Sequence, residues 1–177
     1  MELNREILTK DGVAYVPLTQ GYVAKIDADD VHLVAGRSWR AFVKRRPDGS
    51  ILNVYAVSWK KTTKNNDAVD RMHRLIVGAS YGEVVDHKDC DGLNNTRSNL
   101  RIATHSQNCA NRRRAHASNN PSKGVTFNKS SKKWQAQISA NGKSHYLGVY
   151  SDAADAAKAY EEASKRLFGE FARWTHK

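Results

Sequence analysis

Between Asp91 and Asp152 the chain carries no acidic residue. The same stretch holds Arg97, Arg101, Arg112, Arg113, Arg114, Lys123, Lys129, Lys132, Lys133 and Lys143. Whatever it folds into must therefore tolerate a one-signed surface. Like charges repel and make compaction costlier, and a solvated surface ordinarily mixes both signs. A polyanionic partner that supplies the missing negative charge is the better explanation. The imbalance runs through the whole chain, where 29 Lys plus Arg face 18 Asp plus Glu for a net charge of +11. Hydrophobic residues make up 40% of 177, which allows one medium domain or two to three small ones with modest cores.

No apolar run approaches the roughly 18 residues that a membrane helix needs. Met1-Glu2-Leu3-Asn4-Arg5 lacks the apolar core of a signal peptide. Two cysteines, Cys90 and Cys109, are too few for a disulfide scaffold or a zinc site built from Cys pairs. These features lead us to expect a cytoplasmic protein in a reducing compartment, with no membrane contact, no structural zinc and no obligatory protein partner.

The first seventy residues read as short strands at 13–18, 21–26, 39–43 and 51–59, with β-branched residues and Gly punctuation. Arg46-Pro47-Asp48-Gly49 is a turn signal, and a short helix capped by Asp27 is expected to end before Gly36. No chemistry is apparent in this layer, which should pack beside the next unit or extend it. Polar residues at 62–70 read as a loop, and residues 116–121 as a linker. The expected division is a β-rich region at 1–70, a central unit at 71–115, the linker, and a C-terminal unit at 122–177.

In the central unit, residues 83–87 read as a strand that ends on Asp86 and His87. A loop rich in Asp, Gly and Asn follows, then an alternating strand at 99–103. Thr104-x-x-Gln107 is a capping-box pattern for a helix over 106–114. This order can hold phosphodiester hydrolysis. Asp86 offers a carboxylate and Asn108 an amide oxygen, the hard donors that magnesium prefers. His87 projects to the opposite side of the strand from Asp86, where it can act as a general base. Taken alone, the Asp-His pair fits ordinary surface decoration more often than a site.

The wider pattern is more specific. Met72-His73-Arg74-Leu75-Ile76, Val84-Val85-Asp86-His87-Lys88-Asp89-x-Asp91-Gly92-x-Asn94-Asn95, Ser98-Asn99-Leu100-Arg101 and Gln107-Asn108 resemble the HNH homing endonucleases of phages. The resemblance implies a ββα-metal fold with one Mg2+ or Mn2+ ion. It implies His87 as the water-activating base, Asn99 as the residue that holds the loop, and Asp86 and Asn108 as metal ligands. Arg101 reads equally as a phosphate contact or as a solvated strand arginine. His73 matches a family position, and a structural histidine is the plainer reading there. His105 reads as a surface residue.

The C-terminal unit shows three strands at 123–128, 133–140 and 143–150, the last two joined by Asn141-Gly142, and a helix at 153–168. Trp134, Ala136 and Ile138 alternate with Gln135, Gln137 and Ser139, giving one face for the helix and one polar face. A polar sheet face with basic rims can enter the major groove; a merely solvated face is the alternative. Ser122-Lys123-Gly124-Val125, Lys133-Trp134-Gln135-Ala136-Gln137-Ile138, Tyr146-Leu147-Gly148-Val149-Tyr150 and Ala153-Ala154-x-Ala156-Ala157-x-Ala159-Tyr160 resemble the ethylene-response-factor (Apetala) DNA-binding domain. That resemblance implies DNA contacts at Lys123, Thr126, Asn128, Gln137, Ser139, Ser144 and Tyr146, beside Gln135 on the same face and a backbone-following segment at Arg112, Arg113 and Arg114. The plant domain has Arg at several of the positions that are Thr, Asn and Ser here, so specificity should differ.

The expected whole is an α+β chain: a β-rich N-terminal region, a ββα-metal core, and a three-stranded antiparallel sheet on one helix. Its expected activity is metal-dependent cleavage of duplex DNA to 5′-phosphate and 3′-hydroxyl ends. A catalytically inactive DNA-binding regulator is the first alternative. An RNA-binding protein is the second, disfavoured by the scarcity of sheet-face aromatics.

Overall fold

The computed structural model describes residues 6–60, 68–112 and 122–173. Its α+β architecture consists of small antiparallel sheets with short helices between them. Internal contacts divide the chain into two compact units, residues 1–102 and 103–177.

The first unit begins with β1 (Leu8–Lys10), β2 (Val13–Pro17) and β3 (Val23–Asp27), a three-stranded sheet in the order β1-β2-β3. Ala14, Val16, Ala24 and Ile26 alternate inward from β2 and β3. A 3-10 turn (Ala28–Asp30) and helix α1 (Val31–Val34) follow. Asp27 makes no side-chain cap there; its carboxylate accepts from the Arg97 N–H instead. A second sheet has the order β4-β5-β6, from β4 (Arg40–Arg45), β5 (Ile51–Lys60) and β6 (Ala68–Arg71). Part of the loop expected at 62–70 is thus strand: residues 68–70 pair with β5, and residues 61–67 lie outside the described set.

Helix α2 (Met72–Val77) leaves β6 directly and ends at Gly78, whose φ of 63° is the left-handed conformation that favours glycine. The two-stranded pair β7 (Val84–His87) and β8 (Leu100–Ala103) follows, and the first unit ends within β8, at Ile102. One apolar cluster joins Ala14, Ile26, Val34, Trp39, Val54 and Ala56 to Met72, Ile76 and Leu100. The N-terminal strands and the 72–100 segment therefore share a single core.

In the second unit, helix α3 (His105–Asn111) opens on the expected capping box. The Thr104 side chain accepts from the Gln107 N–H, and the Gln107 side chain accepts from the Thr104 N–H. The helix stops at Asn111, short of the expected 114; Arg113, Arg114 and the linker at 116–121 lie outside the described residues. Strands β9 (Val125–Asn128), β10 (Lys133–Ala140) and β11 (Lys143–Tyr150) form a sheet in the order β11-β10-β9, packed on α4 (Ala153–Phe168). Gly124 is obligatory at the sheet's start. A Cβ there would sit 2.2 Å from the Gln137 carbonyl oxygen and 2.4 Å from the Tyr160 ring. Ala156, Ala157 and Ala163 bring α4 close to Val125, Ala136 and Ile138, and Ala103 and Ala110 join the same core.

Candidate active site

β7 ends at Asp86 and His87, both buried. The Arg101 guanidinium, from β8, donates through Nε and Nη2 to the same Asp86 oxygen, Oδ2, at 2.9 Å each. Two charge-assisted N–H bonds converge on this one oxygen, so Arg101 acts on Asp86 here rather than standing as a solvated strand residue.

The His87 ring is held from the other direction. Its Nε2 lies 3.1 Å from Asn95 Oδ1, and Asn95 is fully buried. Asn95 Nδ2 donates to the Leu93 carbonyl at 3.2 Å and to Met72 Sδ at 3.5 Å. Those two acceptors fix which end of the amide is NH2, so Oδ1 faces His87. An amide oxygen can only accept. Nε2 is accordingly the protonated nitrogen, and the imidazole lone pair sits on Nδ1. Burial lowers the His87 pKa, against a smaller opposing pull from Asn95 and from the carboxylates of Asp89, Asp86 and Asp91. The ring is neutral at neutral pH.

Asn99 holds the loop between the two strands closed. Its Nδ2 donates to Asp89 Oδ1 at 2.9 Å and to the Asn94 carbonyl at 2.7 Å, while its Oδ1 accepts from the Asp89 N–H at 3.1 Å. Burial pushes the Asp89 carboxyl up, yet the Asp91 N–H and the Asn94 and Asn99 amides outweigh it and leave the pKa below the ordinary value. Asp89 is thus an ionised hub for the loop.

The N-terminal layer, for which the sequence suggested no role, supports this loop from outside. The edge of β3 forms a parallel bridge at Lys25: the Lys25 N–H donates to the Leu93 carbonyl at 2.8 Å, and the Asn95 N–H to the Lys25 carbonyl at 2.7 Å. Asn53 Oδ1 accepts from the Gly92 N–H at 3.0 Å. A Cβ at residue 92 would lie 2.4 Å from the Val54 carbonyl oxygen and 2.7 Å from the Tyr55 ring, so only glycine fits. The Arg97 guanidinium grips the buried Asp30 through Nε and Nη2. Tyr55 and His73 pack around His87, with His73 edge-on at a centroid distance of 5.0 Å and Tyr55 tilted at 6.1 Å. Burial, then the charges of His87, Arg71 and Arg74, lowers the His73 pKa to about 3. Among the described residues the Nδ1 of His73 has no hydrogen-bond partner.

Asn95, Asp89, Asn53 and Tyr55 were not singled out from the sequence as site residues. Asp89 and Asn95 carried one usable signal, their place in the loop motif, but no spacing rule says that the Asn95 amide faces His87.

In the second unit, Asn108 lies on α3, half-buried, and Arg112 follows that helix exposed. His105 is exposed and within 3.6 Å of Cys109 Sγ. Register places the polar sheet residues together. Thr126 and Asn128 on β9 pair with Gln135 and Lys133, Gln137 pairs with Tyr146, and Ser139 with Ser144. Residues directly opposite in an antiparallel pair share a face, and all of these except Gln135, which is half-buried, are exposed. Lys123 is not on that face; its Nζ donates to the Ala110 carbonyl at the end of α3, at 2.7 Å. Among the described residues no group of three or more His, Cys, Asp or Glu is placed to hold a metal ion, and no helix is long and apolar enough to cross a membrane.

Comparison with known proteins finds one family. Residues 70–110 match the HNH endonuclease family. The chain is 39% identical over 88 residues to an uncharacterized HNH endonuclease of Acanthamoeba polyphaga mimivirus, a match covering 50% of this chain and 44% of that relative. It is 26% identical over 120 residues to Protein 3.8 of Escherichia phage T7, covering 65% of this chain and 98% of the relative. The chain thus spans less than half the length of the mimivirus protein. No solved structure matches it significantly.

Proposed function

We propose, taking the HNH endonuclease domain at residues 70–110 as the premise, that this chain is a homing-type DNA endonuclease dependent on a divalent cation, with His87 as its general base. The observation that carries the reading is the tautomer of His87. A base must present an unprotonated nitrogen at working pH, and the Asn95 amide leaves the lone pair on Nδ1 while burial keeps the ring neutral. His87 takes a proton from water at Nδ1, the resulting hydroxide attacks the phosphorus, the bond to the 3′ oxygen breaks, and that oxygen takes a proton from solvent. The products are a 5′-phosphate and a 3′-hydroxyl. Asn99 keeps the loop, and through it His87, in position.

The donor chemistry fits Mg2+ or Mn2+: the Asp86 carboxylate and the Asn108 amide are oxygen donors, which such ions prefer to sulfur. Asp86 and Asn108 would hold the ion. Once bound, it supplies positive charge to a phosphate in the transition state. Arg101 orients Asp86 through Oδ2.

Duplex DNA is the substrate this reading calls for. The polar face of the C-terminal sheet, with Thr126, Asn128, Gln135, Gln137, Ser139, Ser144 and Tyr146, supports a role in holding it in the manner of the ethylene-response-factor domain, with Arg112, Arg113 and Arg114 following the backbone.

The test is conversion of supercoiled plasmid with Mg2+ or with chelator, followed by sequencing of the ends. His87→Ala should lose about 10²- to 10⁴-fold in rate while duplex affinity stays near that of the parent. A parent protein that binds duplex DNA tightly and never cuts it with either ion would instead be a DNA-binding regulator.

A further inference from the structure

We propose that the outer face of the β4-β5-β6 sheet is a second DNA-binding surface, which grips the duplex backbone beside the catalytic residues; it rests on the nuclease reading for the identity of its partner. Register defines the face. Arg40, Phe42 and Lys44 on β4 stand opposite Val57, Tyr55 and Asn53 on β5, and Val57 and Trp59 stand opposite Arg71 and Val69 on β6. Cross-strand partners project to the same side. The opposite face, with Ala41, Val54 and Ala56, faces the core.

Two observations identify the occupant. The first is charge. Arg40, Lys44 and Arg71 share this face and no Asp or Glu does, among the described residues. Arg40 and Lys44, four residues apart, are separated by about 14 Å, and Arg40 and Arg71, two strands apart, by about 10 Å. The three cations mark an L, whose longer arm, from Arg40 to Lys44, equals about four nucleotide steps of rise along a DNA helix axis. The second is continuity with the site. Tyr55 and Asn53 lie on this same face, and they are the residues that meet the His87 ring and the Gly92 N–H. The face therefore runs from the loop holding the general base to these cations.

Three of its apolar members stay exposed, Phe42 50%, Trp59 43% and Val69 41%, while Val57, between Arg40 and Arg71, is buried at 1%. The Arg40 guanidinium sits over the Trp59 ring at 5.7 Å, which holds the cation outward. A duplex that meets this face offers phosphates to the cations and sugar edges to Phe42 and Trp59. The sequence reading assigned DNA contacts only at Arg101 and from residue 112 onward, so this surface adds a hold that precedes the catalytic segment in sequence.

The experiment uses the full chain and a short mixed-sequence duplex in chelator, with binding measured across a salt series and plasmid cleavage measured separately with Mg2+. Arg40→Gln/Lys44→Gln should lower the log–log salt slope by about two, since each phosphate contact contributes about 0.9. Arg40→Gln/Lys44→Gln/Arg71→Gln should lower it by about three. Arg40→Lys/Lys44→Arg should keep the parent slope. Lys158→Gln/Lys165→Gln, on exposed positions of α4, removes the same charge elsewhere and should also keep it. A parent-like slope for Arg40→Gln/Lys44→Gln, or an equal fall for the α4 pair, overturns the proposal. So does a DNA-free parent that sediments as a dimer and becomes monomeric in Phe42→Ser/Trp59→Ser, which would make the face a contact between copies. A parent that binds with the expected slopes but cuts nothing leaves this surface standing and removes the nuclease reading. Cleavage with unchanged slopes does the reverse.

Discussion

His73 and Asp86 are buried ionisable residues in the candidate site, and each answers to a different experiment. His73 has a pKa near 3 because burial strips solvent from its charged form. In the unfolded chain the same group titrates near 6.5. Between those values the unfolded state binds a proton that the folded state refuses, so stability falls as pH drops from about 6.5 toward 3, by about 1.4 kcal/mol per pH unit. His73→Gln should flatten that acid limb in urea midpoints measured across this range; a limb as steep as the parent's would mean that other groups set it. Asp86 is compensated by Arg101, whose side chain is only 11% exposed. Removing one partner of a buried pair costs about 3–5 kcal/mol because a charge is left uncompensated. Arg101→Gln should therefore lower the unfolding temperature, and Mg2+ should restore more of it in the variant than in the parent if Asp86 is a ligand. Equal gains from Mg2+ in both proteins would argue that the ion does not reach Asp86. His73 was read from the sequence as a structural histidine, and it is buried; the Asp86–Arg101 pair was not legible, because sequence spacing does not say which carboxylate a guanidinium meets.

Elements with strong local signals were readable, and the others needed tertiary context. The Ala-rich period of α4, the Asn141-Gly142 turn and the Thr104-Gln107 capping box each encode their structure within a few residues, and all three are present. The short helix α2 has no side-chain cap and no acidic residue in its first turn, so only Gly78 marks it. Strands β1 and β6 have three and four residues, too few to show a period, and they are held by pairing with β2 and β5. The clearest element-scale dependence is the 88–99 loop on the N-terminal sheets. Gly92→Ala would drive a Cβ into the Val54 carbonyl and the Tyr55 ring, moving the loop that holds Asn95 against His87. We expect cleavage to fall by more than tenfold, since an offset of about 1 Å can cost about 10²-fold. Thr104→Ala, which only uncaps α3, should cost about 1 kcal/mol of stability. Kinetics and urea midpoints on the two variants would separate these outcomes, and parent-like cleavage by Gly92→Ala would show that the close approach does not govern the site.

At the scale of the whole chain, the second unit contains more than the sheet and its helix. Ala103 and Ala110 are buried in the same cluster as Val125, Ala136 and Tyr160. α3 is tied to the sheet by the Asn141 N–H donating to Ser106 Oγ at 2.9 Å and by Lys123 Nζ on the Ala110 carbonyl at 2.7 Å. A fragment of residues 118–177, the cut suggested by the hydrophilic 116–121 segment, would lose both ties and expose the alanine contacts. Two hydrogen bonds at about 1 kcal/mol each, and a small apolar area at about 25 cal/mol per Å², put the loss near 2–3 kcal/mol. A fragment of residues 103–177 keeps them. It should unfold at a clearly higher urea concentration than 118–177, bind duplex DNA with a salt-dependent affinity through the polar sheet face, and never cut, because Asp86, His87 and Asn99 lie outside it. Its salt slope should be smaller than that of the full chain by the contacts that Arg40, Lys44 and Arg71 supply, about three. Equal urea midpoints for the two fragments would mean that α3 is not part of the C-terminal core. A 103–177 fragment with no affinity for duplex DNA would remove the sheet face from the proposed mechanism and leave the N-terminal surface as the hold on the substrate.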